Sequence, residues 1–164
     1  MLLRWLRATY PDQEIPQSTI DSITHSSWHS HGLVSEAFMK VAREQHARGV
    51  VDPDVQIALG VLFYTDGNYE RAKDCFESAL SLRPRVSVHQ LTWSASRLMP
   101  NDIQDYLLWN RLGSSLSNGN QPEASLGAYR EALNLRPTYT RAIYNVGVAC
   151  AFALDSHRCR HVDL

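Results

Sequence analysis

The sequence predicts an all-α solenoid of antiparallel helix pairs, and two observations carry that prediction. The first is internal repetition. "DPDVQIALGVLFYTDGNYERAKDCFESALSLRP" at 52–84 aligns end to end with "DYLLWNRLGSSLSNGNQPEASLGAYREALNLRP" at 105–137. Leu59-Gly60 falls on Leu112-Gly113, Phe76 on Tyr129, Ala79 on Ala132, and Leu-Arg-Pro ends both copies. A third copy opens at 139 with "YTRAIYNVGVAC", where Val146-Gly147 takes the Leu-Gly place. The second observation is the helical spacing of small and apolar residues within each copy.

Each element has a local reason. Asp52 is a good N-cap, Pro53 suits the first helical position and Asp54 complements the first turn. Gly60, Gly113 and Gly147 leave room for a paired helix to approach closely. Ala72, Ala79 and Ala132 do the same from the second helix, and Phe76 and Tyr129 fill the space between units. Pro84 and Pro137 stop the second helix, because proline cannot continue one. Asn120 with Glu123 reads as a capping box for the second helix of the second copy.

The flanks are less regular. Residues 1–33 are rich in Pro, Ser, Thr and His and read as an irregular segment. Residues 34–48 read as an amphipathic helix capped by Ser35, with Val34, Phe38 and Val41 on one face. The expected organisation is an N-terminal segment at 1–33 and a repeat domain at 34–164 that carries an insert at 86–104. The third copy stops after its first helix, and "DSHRCRHVDL" does not continue it. A solenoid needs end caps, so both ends look cut and the chain reads as part of a longer array.

The two full copies resemble the tetratricopeptide repeat, a 34-residue helical hairpin; Ser125 departs from it where the pattern has alanine. A repeat by itself is a scaffold and not a function. The wording of the copies, together with "RAIYNVGVAC", is closer still to the C-terminal repeats of the peroxin-5 family over roughly 34–84 and 105–151. Members of that family are import receptors for peroxisomal matrix proteins, which they recognise by a C-terminal Ser-Lys-Leu-type tripeptide.

The residues support such chemistry on their own terms. Arg141 and Asn145 stand four apart and share a helix face. Arg offers a permanent charge and a fork of donors for a carboxylate, and Asn offers a donor and an acceptor for a peptide backbone. Asn110 and Arg111 lie on the neighbouring first helix, with Asn118 at its far end. By the resemblance, Asn110, Asn118, Arg141 and Asn145 fall on the family's signal pocket. Arg111 falls where the animal receptor has lysine, so the charge is kept, whereas Phe152 replaces another pocket asparagine. The resemblance implies cargo proteins with Ser-Lys-Leu-type ends as partners, and peroxisomal docking peroxins reached through the N-terminal half of the longer receptors. It implies a cytoplasmic protein that cycles to the peroxisomal membrane. With the family's earlier repeats and long N-terminal half not in this sequence, affinity of this chain by itself for the signal is expected to be weak or absent. Two other readings stay open: a chaperone adaptor clamping an acidic C-terminus, and a scaffold that binds neither.

Bulk properties agree. Lys plus Arg is 16 and Asp plus Glu is 17 in 164 residues, which argues against nucleic-acid binding through bulk charge. No apolar run approaches the roughly 20 residues of a membrane span, and "MLLRWLRATYPDQ" has no apolar core behind its basic residues to make a signal peptide. Cys75, Cys150 and Cys159 show no disulfide or zinc spacing, and fit a reducing compartment. His25, His29 and His31 lack a carboxylate or cysteine to complete a metal set, and no cofactor is expected. No P-loop, GxGxxG or Ser-His-Asp order appears, so an enzyme is not expected.

The insert breaks an otherwise exact phase. Gly113 to Gly147 is 34 residues, but Gly60 to Gly113 is 53, an excess of 19. Removing the 19 residues Val86 to Gln104 joins "SLRPR" to "DYLLWN" in register. Val-Ser at its start can be encoded by GTGAGT and Gln at its end by CAG, the two ends of a common intron. The reading is a retained intron; the rival is a genuine loop, since loops beyond ~12–15 residues are uncommon in compact domains and often functional. Sequencing of spliced transcripts across this point is expected to reveal messages that lack these 19 codons. If every message carries them, the segment is a coding insert.

Overall fold

The computed structural model describes residues 2–11, 27–82 and 105–153. Among these, seven helices follow in order: α1 (Leu2–Thr9), α2 (Ser27–Ala47), α3 (Pro53–Thr65), α4 (Tyr69–Leu82), α5 (Asp105–Asn118), α6 (Pro122–Leu135) and α7 (Thr140–Ala153). Each helix from α2 to α7 packs on the next in the chain. The described residues are thus an all-α array, with α3–α4 and α5–α6 as its two hairpins. Residues 86–104 lie outside the described residues, as do Asp155 to Leu164. Even so, α4 and α5 pack directly on each other, so the two units stack across the interruption.

The close approach within each hairpin comes from the paired glycines. A Cβ on Gly60 would lie 2.5 Å from Cε1 of Phe76, and one on Gly113 would lie 2.5 Å from Cε1 of Tyr129. Both rings therefore rest on the bare backbone of the facing helix, and both are buried. At Gly147 nothing described lies within 4 Å, so this glycine has no such ring against it among the described residues. Ala72, Ala79 and Ala132 are fully buried at the facing positions. Ser125 is fully buried as well, and its Oγ donates to the Pro122 carbonyl at 2.7 Å. That bond satisfies the hydroxyl where the repeat pattern has alanine.

The turns show one expectation met and one corrected. Asp52 caps α3, its carboxylate accepting from the Asp54 N–H, with Pro53 at the start of the helix. Asn120 does not cap α6. The N-cap is Gln121, whose side chain makes no capping bond. Asn120 instead takes φ 60°, where Gly67, its counterpart in the first unit, has φ 75°. Asparagine tolerates this left-handed conformation better than most residues, and both turns close the preceding helix through backbone bonds, Asn68 N–H to Phe63 and Gln121 N–H to Leu116.

The N-terminal flank is more ordered than its composition implies. Within the segment expected to be irregular, 2–9 form α1 and 27–33 begin α2. Helix α2 runs through the expected boundary between 33 and 34, and Ser35 lies in mid-helix rather than at its cap. Ser35 is buried and its Oγ has no hydrogen-bond partner. The expected apolar face is present, with Phe38 and Val41 buried and Val34 packed against the core. Trp5 of α1 stacks on Phe38 at 6.2 Å between ring centroids, and Leu6 is fully buried. Tyr10 then anchors α1 to the α2–α3 corner. Its hydroxyl donates to the Asp52 carboxylate and accepts from Gln45 Nε2 at 2.8 Å. Burial, and then the Asp52 bond and charge, push the Tyr10 hydroxyl up to about 12.

Cys75 packs against the same core. Burial, aided by the neighbouring Asp74, pushes its thiol up to about 11, as expected of a cysteine that serves as a small hydrophobe. Of the three histidines singled out from sequence, the side chains of His25 and His29 lie outside what the structure describes, and that of His31 is described. Its Nδ1 sits 2.9 Å from Asp66 and its Nε2 2.6 Å from Thr65 Oγ1, pinning α2 to the end of α3. No helix among the described residues is long and apolar enough to cross a membrane.

The glycine–ring contact dictates the sign of two substitutions. Alanine in a helix interior is favoured over glycine by about 1 kcal/mol, but overpacking costs about 1–3 kcal/mol. Gly60→Ala and Gly113→Ala are expected to lower stability, by up to about 2 kcal/mol net of the propensity gain, in urea titrations. Gly127→Ala, on the exposed side of α6 with nothing within 4 Å, is expected to gain up to about 1 kcal/mol. Equal effects at all three positions would mean that the rings do not hold the hairpins.

Candidate peptide-binding groove

The repeat sets the geometry of the site. Because α3–α4 and α5–α6 are locked in the same way, α3, α5 and α7 present corresponding faces to one side. A groove of about 450 Å³ opens there, lined by Val61 and Tyr64 from α3, Phe76 from α4, Asn110, Arg111 and Ser114 from α5, and Arg141, Tyr144 and Asn145 from α7. Apolar groups come from the first unit; both arginines and both asparagines come from the second and third.

Four of the five residues singled out from sequence meet in this groove: Asn110, Arg111, Arg141 and Asn145. Asn110 is only 5% exposed, and its Oδ1 accepts from Asn145 Nδ2 at 3.0 Å. This bond crosses from α5 to α7 and so joins two units. Burial of Asn110 is tolerable because its amide is neutral and partnered. Arg111 and Arg141 remain exposed, and among the described residues neither has a carboxylate partner. The groove thus has a neutral amide floor and a cationic rim, and it can receive a carboxylate and the backbone that leads to it.

The fifth residue, Asn118, is not among the lining residues. It is exposed, and its Nδ2 donates to Tyr64 Oη at 2.7 Å. Of Phe152 nothing is described beyond its place in α7.

Several lining residues carried no signal in the sequence. Tyr64, Tyr144, Val61 and Ser114 read there as ordinary helix residues, and Phe76 as core alone. Tyr144 is 70% exposed. Ser114 Oγ donates to the Asn110 carbonyl at 3.0 Å and lies 3.4 Å from Tyr129 Oη. The tyrosine that rests on Gly113 is therefore linked to the groove through Ser114. Burial pushes the Tyr129 hydroxyl up, with the Ser114 bond opposing it.

The bridge between Asn110 and Asn145 has a measurable cost of removal. Asn145→Ala leaves a buried acceptor without its donor, and urea titration is expected to show a loss of about 1–3 kcal/mol. The double variant Asn110→Ala/Asn145→Ala is expected to lose less than the sum of the single changes. Strict additivity would mean that the bond is absent in solution.

Comparison with known proteins agrees with this architecture. Two tetratricopeptide repeat models match, one at residues 53–86 and the other at 106–139. The chain is 36% identical over 151 residues to the peroxisomal targeting signal receptor of Candida albicans, covering 91% of this chain and 22% of that protein. It is 39% identical over 153 residues to the receptor of the same name from Debaryomyces hansenii, with the same coverage. It is 34% identical over 114 residues to the peroxisomal targeting signal 1 receptor of Dictyostelium discoideum, covering 70% of this chain and 14% of that protein. The chain spans about a fifth of the length of the fungal relatives it matches.

Proposed function

This chain is a homologue of the peroxisomal targeting signal receptors, and we propose that its groove binds the C-terminal, Ser-Lys-Leu-type targeting signals of cargo proteins. One observation carries the reading: two exposed guanidinium groups flank a buried asparagine, Asn110, that accepts a hydrogen bond from the half-buried Asn145 at the junction of two repeats. In this reading Arg141 and Arg111 hold the terminal carboxylate, and Asn110 and Asn145 pair with the peptide backbone. Val61, backed by the buried Phe76, gives an apolar side chain a surface to pack on. The site works by binding, in keeping with relatives that are named receptors. Delivery of cargo from the cytoplasm to the peroxisomal membrane, and docking there with other peroxins, belong to the same proposal and rest on the homology.

Fluorescence anisotropy of a labelled peptide ending in Ser-Lys-Leu tests it, with the C-terminally amidated peptide as control. Saturable binding lost on amidation is expected. Arg141→Ala is expected to weaken it by about ten-fold or more, since a hydrogen bond to a charged group contributes about 1.5–3 kcal/mol. Binding indifferent to amidation, or a preference for a peptide ending in Glu-Glu-Val-Asp, would overturn the proposal in favour of another kind of adaptor. No binding would deny this chain receptor activity.

A further inference from the structure

Asn118 stands one turn beyond Ser114 on α5, at the mouth of the groove, yet it does not line it. The cause lies on the neighbouring unit. Tyr64, near the end of α3, lines the groove with its ring and accepts the Asn118 amide at its hydroxyl, 2.7 Å away. The tyrosine is braced in that position. Its ring meets Tyr69 edge-on at 5.5 Å between centroids. The two helix turns beside it are tied by a second bond, Gln121 Nε2 to Glu70 Oε1 at 2.9 Å. A Cβ on Gly119 would sit 3.5 Å from the Tyr69 Cβ, so the α5–α6 turn lies close against the start of α4.

We propose that Tyr64 is a positioning residue that acts through Asn118, holding its amide away from the groove and setting which groups a bound peptide meets at that end. An asparagine amide is a donor and an acceptor suited to a peptide bond. With one amide N–H given to Tyr64 and the side chain turned with it, that end presents Tyr64 in its place, beside the apolar Val61 and Phe76. This deepens the peptide-binding reading and rests on it for its effect on selectivity; the Tyr64–Asn118 latch itself is independent of any ligand.

Two variants separate the parts. Tyr64→Phe keeps the ring and its packing on Tyr69 but removes the hydroxyl that holds Asn118. In ¹⁵N-labelled protein without peptide, the Asn118 side-chain amide signals are expected to shift, and to exchange faster with water, in Tyr64→Phe. Signals unchanged from the native chain overturn the latch. With the labelled Ser-Lys-Leu peptide, Tyr64→Phe is expected to bind about three- to ten-fold more tightly, the worth of one freed hydrogen bond. Adding Asn118→Ala in that background is expected to cancel the gain, and to cost more there than in the native chain. An equal cost in both backgrounds overturns the positioning role. If no variant binds peptide, the receptor reading fails and the selectivity role with it, while the amide spectrum still decides the latch.

Discussion

The contact of an aromatic ring with bare helix backbone is the constraint on which the rest depends. Phe76 on Gly60 and Tyr129 on Gly113 bring two helices closer than any side chain at the glycine would allow. The same contact recurs in the same place, so the two hairpins have the same shape and stack with their first helices on one side. The groove is the consequence of that stacking. Its floor also uses the locking rings directly: Phe76 lines it, and Tyr129 reaches Ser114, which lines it and bonds the Asn110 backbone. A change that unseats a ring therefore disturbs both the fold and the site.

Much of this was legible because it is local. The cap at Asp52 follows from residue type and the proline after it. The small residues of α4 and α6 follow from register, and Arg141 and Asn145 share a face because they stand four apart. What stayed hidden depends on groups distant in sequence or on chemistry that suits two roles. Asparagine serves both as an N-cap and in the left-handed region, and only the match of Asn120 to Gly67 decides between them. Helix α1 has eight residues, too few for a period to stand out, and it is stabilised by packing on α2 rather than by its own propensity. Ser35 looked like a cap because it precedes an apolar run, but the helix had begun earlier. Asn118 was placed correctly on α5; what removes it from the groove is a tyrosine of another unit, which no local spacing reveals.

The division of labour between amides and cations has an energetic reason. A charged group buried as Asn110 is would cost several kcal/mol of desolvation, and any ligand would first have to repay it. A neutral amide can be buried when it is hydrogen-bonded, so Asn110, held by the half-buried Asn145, shapes the floor at little cost. The guanidinium groups stay at the rim, where water solvates them. Charge at the rim acts on encounter and orientation, and the amide floor acts on fit.

Because Asn110 and Asn145 belong to different units, the site exists only where those units meet. Its precision then depends on what holds neighbouring turns together. Arg136 serves this role at the α6–α7 corner, donating to Tyr106 Oη at 2.6 Å while Tyr106 meets Tyr139 edge-on at 4.7 Å between centroids. Gln121 and Glu70 serve it at the preceding corner. The Arg136 bond closes the second unit on itself, the Tyr106–Tyr139 and Gln121–Glu70 contacts join it to its neighbours, and the α4–α5 contact forms across an interruption of the repeat. Selection on the repeat phase alone would not keep the groove intact; the ties between turns must be kept as well, since a small rotation of α7 against α5 would part the two asparagines and leave a buried acceptor empty.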